Sequence, residues 1–191
     1  MFTALLLGLA AQTVAAPPPA PGAAVTDPRL TRMAALYEEL CLKAFPDDAA
    51  VDRLMAARGA TALTPEQVRV TLVDDPGRGW RVADAGGPVL VILELPPYHA
   101  CSVRWDAPAG TPDWSAYRAV SDPYLAGHDG WTTLPPMEMD RGDIHISGVT
   151  TARMTAAGSD ALIVVDQTPS DPAKRGTGTV DRRLVHQMQG H

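Results

Sequence analysis

The sequence predicts an α+β fold in which an N-terminal helical hairpin is disulfide-linked to an antiparallel β-sheet with one further helix. Three observations predict it. Apolar residues at spacings of three and four run from Leu30 to Phe45 and stop at Pro46, the pattern of a helix with one face to bury. Three strand-like runs, 80–83, 89–95 and 99–105, follow between Gly and Pro punctuation. A second group, 137–140, 144–154 and 161–167, is joined by Arg141-Gly142-Asp143 and Ala157-Gly158-Ser159, short turn sequences that return a strand beside its predecessor.

Taken in order, the chain opens without charge. Residues 1–26 carry no charged side chain, Ala4 to Ala11 is apolar, and Val14-Ala15-Ala16 precedes Pro17, the layout of a secretory signal peptide over 1–16 with a small-residue cleavage site. The expected mature protein is periplasmic, and with no Cys near the cleavage point it is not lipidated. Residues 17–26 read as a Pro/Ala linker, 27–167 as a single α+β domain, and 168–191 as a polar loop and C-terminal tail.

Asp27-Pro28 supplies an N-cap and first-turn Pro for the first helix, and Asp47 or Asp48 caps a second that stops at Gly59. Thr64-Pro65-Glu66-Gln67 has the capping-box form, which predicts a short helix to Leu72, with a strand over 68–73 as the alternative. Asp75-Pro76-Gly77 is a turn, and Gly77-Arg78-Gly79 reads as a turn into Trp80. Val89 to Leu95 is almost wholly apolar, as in a strand covered on both faces. Along 99–105 the alternation puts His99, Cys101, Val103 and Trp105 on one face. A helix begins near Asp113 and is expected to end by Ser121, because Pro123 disfavours helical backbone before it. Val180 to Gln187 is either a last strand or a frayed tail.

Composition narrows function. The formal charge of −6 disfavours nucleic acid and anionic membrane surfaces as partners, since both select clustered Lys and Arg. No apolar run reaches the roughly 18 residues of a membrane-spanning helix, so no transmembrane span is expected. Two cysteines in an exported chain pair most economically, and Cys41 on the helix stripe and Cys101 on the strand both face surfaces that must be buried.

Chemistry-bearing clusters are few. His99 beside Cys101 is the one pairing in which imidazole could activate a thiol, making a thiol- or metal-dependent envelope enzyme the alternative function; a Cys41–Cys101 disulfide removes that nucleophile. His186, Met188 and His191 are ligand types that select copper, or simply tail composition. Glu94 interrupts an apolar strand, where it either turns outward or pairs with Arg81 or Arg104. No phosphate-loop or nucleophile-elbow pattern occurs, and no metal, cofactor or catalytic residue is assigned. Trp80, Trp105, Trp114 and Trp131, with Tyr98, Tyr117 and Tyr124, are a reservoir of groove-lining aromatics. Trp131, in a polar loop, is expected at the surface, and Trp131, Tyr98 and His99 are the candidate binding residues. The expected function is a non-catalytic binding or interaction module of the cell envelope, its partner an envelope protein or a small ligand.

Three segments carry a resemblance. Cys41-Leu-Lys-Ala-Phe45-Pro46-Asp47, Asp75-Pro76-Gly77-Arg78-Gly79-Trp80 and Ala100-Cys101-Ser102-Val103-Arg104 resemble a family of small exported proteins of Gram-negative, mainly alphaproteobacterial, bacteria. The likeness spans about Leu36 to Trp105. It implies export and a two-cysteine framework, and assigns no catalytic or ligand-binding residue.

Overall fold

The computed structural model describes residues 24–190; the expected signal peptide, most of the linker and His191 lie outside the described residues. Helix α1 (Leu30–Tyr37) runs on without a break into a π-helical segment, Glu38–Ala44. Leu30, Met33, Ala34, Tyr37, Leu40 and Cys41 are all buried, so the periodic stripe is the buried face. The helix starts later than its Asp-Pro signal suggests. Asp27 accepts only the Arg29 amide at the helix entrance, because its second carboxylate oxygen is drawn to Trp105 Nε1 and to Arg182.

Helix α2 (Asp48–Ala57) is capped by the Asp47 side chain, which accepts from the Ala50 amide. Strand β1 (Thr61–Ala62) leads into helix α3 (Pro65–Leu72), whose Thr64/Gln67 capping box is complete. Helix therefore prevails over strand at 68–73: two orphan amides are satisfied reciprocally at its start, and Val68 and Leu72 pack on Ile92.

Strands β2 (Gly77–Val82), β3 (Val89–Glu94) and β4 (Ala100–Pro108) come next. Gly77 to Gly79 is strand rather than turn, and these glycines make room. A Cβ at Gly77 would collide with the Leu72 side chain, and one at Gly79 would sit 2.6 Å from Ile92 Cδ1, so side chains there would push α3 off the sheet. Helix α4 (Ser115–Ala126) contains Pro123 and runs past the expected stop at Ser121. The extra turn carries Tyr124 and Leu125 onto the core, a gain that offsets the missing Pro amide. After β5 (Thr132–Thr133), β6 (Met137–Arg141), β7 (Ile144–Thr155) and β8 (Gly158–Pro169) come a short helix, α5 (Pro172–Arg175), and β9 (Thr179–Gln189).

The chain is thus α+β, dominated by one nine-stranded antiparallel sheet ordered β1-β2-β3-β4-β9-β8-β7-β5, with β6 also paired to β7. The segment expected to be a polar loop and tail instead ends in β9, which lies in the middle of the sheet, paired over its length with β4 and β8. Its buried positions alternate, Val180, Arg182, Leu184 and His186. Two of the four are polar, which is why hydropathy alone reads as tail.

Helices α1 and α4 cover one sheet face, where Val91, Leu93, Val103, Leu162 and Leu184 join their residues in a single core cluster. Helix α3 covers the opposite face only over β2 and β3. Two covalent or ionic ties fasten the N-terminal helix to the sheet. Cys41 and Cys101 form a disulfide, and both are wholly buried. Arg29, itself buried, donates to Asp84 and to the carbonyls of Gly86, Gly87 and Asp106, pinning the start of α1 to the β2–β3 connection. The hydrogen bond from Arg32 to Asp84 outweighs partial burial and, with the adjacent guanidinium charges, holds that carboxyl well below the usual carboxylate range. The bridge spans 60 residues, and closing a loop of that size stabilises the fold by about 4 kcal/mol in the chain-entropy treatment. The Cys41→Ala/Cys101→Ala protein is expected to lose about that much unfolding free energy in urea; a loss under about 1 kcal/mol would show that helix docking does not rely on the bridge.

Candidate functional site

The residues first suspected of binding do not share a pocket. Tyr98 is exposed in the turn before β4. His99 is half-buried, its Nε2 2.7 Å from Asp48 Oδ1 and its ring edge-on to Phe45 at 4.5 Å. Trp131 is half-buried rather than at the surface. The Arg153 guanidinium lies 5.0 Å over its ring, Tyr124 is beside it, and its buried indole N–H has no acceptor among the described residues. His99 and Trp131, but not Tyr98, are the two ends of one aromatic and imidazole ladder, His99–Phe45–His186–Tyr124–Trp131, with ring centroids 4.5 to 6.1 Å apart.

The middle of that ladder is a strut. His186 Nδ1 lies 2.5 Å from the Cys41 carbonyl oxygen and Nε2 lies 2.8 Å from Asp160 Oδ1. A carbonyl only accepts, so Nδ1 carries a proton, and Nε2 donates to the carboxylate. Arg153 donates twice to the other Asp160 oxygen. Burial pushes Asp160 up, but the hydrogen bonds and charges of His186 and Arg153 outweigh it and hold the carboxyl below its ordinary value. Burial and the neighbouring Asp160 push the Tyr124 hydroxyl up to about 12. His186 is buried with both nitrogens engaged, so it joins the helix to the sheet instead of serving as the soft-ligand tail its composition suggests. Glu94, half-buried, makes no ion pair to Arg81 or Arg104 among the described residues; burial, with Asp75 nearby, pushes its carboxyl up.

A site with room for a ligand lies elsewhere on the same sheet face. A cleft of about 580 Å³ lies between the β4–α4 connection, the first turn of α4 and the outer strands. Val149, Val164 and Val180 form an apolar floor, Trp114 and Tyr117 form a wall, and Glu138, His145, Ser147, Asp166, Thr168 and Arg175 supply polar groups. Alternation explains the floor. His145, Ser147 and Val149 on β7 pair in register with Thr168, Asp166 and Val164 on β8, so every second side chain of both strands faces the cleft.

One buried cation holds the wall. Arg182 has no exposed side-chain surface. Its Nε and Nη2 each donate to Asp166 at 2.8 Å, Nη2 also donates to the Gly110 carbonyl at 3.0 Å, and Nη1 donates to Asp27 at 3.2 Å. The guanidinium carbon lies 5.1 Å from the centre of the Trp114 ring, within cation–π range. At the far rim, Asp140 accepts from His145 Nδ1 at 2.8 Å and from Arg175 at 3.0 Å. Among the described residues His145 makes its side-chain hydrogen bond to Asp140 and none to Ser147, two residues along its strand.

Trp114 and Tyr117 belong to the aromatic set visible in the sequence. The polar residues were missed, although the alternation of His145-Ser147-Val149 against Val164-Asp166-Thr168 was the available signal. Among the described residues no group of three or more His, Cys, Asp or Glu side chains could hold a metal ion, and no helix is long and apolar enough to cross a membrane. No protein-family model, curated protein or solved structure matches the chain, so geometry alone carries the functional reading.

A carboxyl held low in the folded state contributes stability that is complete above its unfolded value, near 4, and is lost as pH falls through its folded value. Asp160 lies in that class. The wild-type protein is expected to lose stability progressively below about pH 4, whereas Asp160→Asn is less stable at pH 7 and loses less between pH 4 and pH 2. Parallel curves for the two proteins, followed by urea unfolding, would show that the strut does not titrate.

Proposed function

We propose that the protein is a non-catalytic binding module of the bacterial cell envelope that holds a small ligand in the cleft beneath α4. The observation that carries this reading is the preformed wall: Trp114 is fixed over the buried Arg182 and faces a floor of valines. Ligand sites are concave, mostly apolar and sparsely polar, with volumes of about 300 to 1,000 Å³, and this cleft fits that description in size and lining. Its ligand has an apolar ring or short chain against Trp114, Val149 and Val164, and a hydrogen-bonding head within reach of Ser147, Thr168 and His145. The cysteines support binding over thiol chemistry, since Cys101 is engaged with Cys41 and holds no thiolate. The same disulfide fits an oxidising compartment, and with the uncharged first 26 residues it supports export to the periplasm.

Expressed in a Gram-negative host, the protein recovered from periplasm is expected to begin at Pro17. Titrated with the neutral fluorophore N-phenyl-1-naphthylamine, it should give one saturable site with enhanced emission. Val149→Trp, which fills the floor from an exposed position, and Trp114→Ala are each expected to weaken that site at least about tenfold, the equivalent of 1.4 kcal/mol. Undiminished binding in both variants would remove the cleft from consideration.

A further inference from the structure

The opposite sheet face carries a charge arrangement that the cleft does not use. Arg104 and Arg183 are direct cross-strand partners on β4 and β9, a placement in which like charges repel. Arg183 is compensated by Asp181 and by the Gln167 side chain oxygen. Arg104 is not: its Nε donates to Ser102 Oγ at 2.9 Å, and its two terminal nitrogens have no acceptor among the described residues. Burial first, and the Arg183 charge second, push Arg104 down to about 10, the response of a cation short of a counter-ion.

Around this pair lies a groove of about 670 Å³. Arg81 and Arg141 stand at its sides, both exposed and without an ion-pair partner among the described residues, so four arginines face two carboxylates, Asp106 and Asp181. Its apolar walls are unusual for a surface. Val70 and Val73 on and just after α3 are 64% and 59% exposed, and Ile144 across the groove is 40% exposed; Leu90 and Ile146 complete the lining. Helix α3 stops short of β9, so beyond the arginines Ile163, Val165 and Val185 remain only half-buried. Cationic floor and apolar walls together match one kind of occupant.

We propose that this groove binds a single-chain amphipathic anion, its phosphate or carboxylate head on Arg104 and Arg183 and its hydrocarbon along Leu90, Ile144 and Ile146. A guanidinium pairs two-pronged with either head group, and the bound anion removes the repulsion between the paired arginines. The site is separate from the cleft beneath α4, which lies on the other sheet face.

The test is isothermal titration of the full chain carrying Val149→Trp, which closes the other cleft, with decyl phosphate, decanoate, decanol and inorganic phosphate, each amphiphile below its micelle concentration. Decyl phosphate is expected to bind one per chain, at least about tenfold more tightly than decanol or inorganic phosphate. A comparable affinity for decanoate identifies the acidic head in general as the recognised group, and weak decanoate binding restricts it to phosphate. Arg104→Gln should weaken decyl phosphate at least about tenfold. The exposed variants Arg141→Gln and Ile144→Glu, which leave the core untouched, should each weaken it several-fold. Equal binding of decanol and decyl phosphate, or unchanged affinity in all three variants, would overturn the proposal. So would a dimer in sedimentation that decyl phosphate does not dissociate, because a second copy would then cover the face.

Discussion

A single guanidinium wholly removed from water sets the terms for this fold. Removing a charge from solvent costs several kcal/mol, and only complete pairing offsets it. Arg182 meets that condition by gathering groups from three distant parts of the chain: Asp27 at the entrance to the first helix, Gly110 and the ring of Trp114 in the β4–α4 connection, and Asp166 on β8. Each must be in place for the others to be tolerable. The cluster therefore specifies geometry as well as stabilising it: it fixes how the entrance to α1 meets the sheet, how β9 lies between β4 and β8, and how the wall of the cleft is presented.

The second buried ionic cluster, Asp160 with His186 and Arg153, repeats the device at the other end of β9. Both are built on β9, so the two halves of the sheet are joined through that one strand. Antiparallel pairing between residues as far apart as 100 and 187 gives the fold a high contact order, and such folds form slowly because loop closure precedes most of the stabilising contacts. The disulfide and the Arg29 clamp act on the same difficulty from the N-terminal side. They bring the first helix to β4 and to the β2–β3 connection.

The two sheet faces have consequently different character. One is closed by α1 and α4 except where α4 begins, leaving the aromatic-walled cleft. The other is covered only over β2 and β3, and its uncovered part mixes half-buried aliphatics with arginines.

The sequence made most of the elements legible where a local signal was strong. The Leu30 to Phe45 stripe, the Thr64/Gln67 capping box, the apolar Val89 run and the turns at Gly142 and Gly158 all state their structure within a few residues, and two cysteines on core-facing positions foretold their bridge. What was not legible depended on partners far along the chain. Asp27 has the form of an N-cap, but long-range pairing with Arg182 takes its side chain, and Pro123 reads as a stop until the packing of Tyr124 is known. Arg182 and His186 disguise a central strand as a tail, because their burial makes sense only with Asp27, Asp166 and Asp160 beside them. The most direct measurement of this account is the urea unfolding of Arg182→Met, which keeps the bulk of the side chain and removes its charge. Leaving the buried Asp27 and the half-buried Asp166 without their cation is expected to lower the unfolding free energy by about 3 to 5 kcal/mol; a variant as stable as the wild type would contradict the central place given to Arg182.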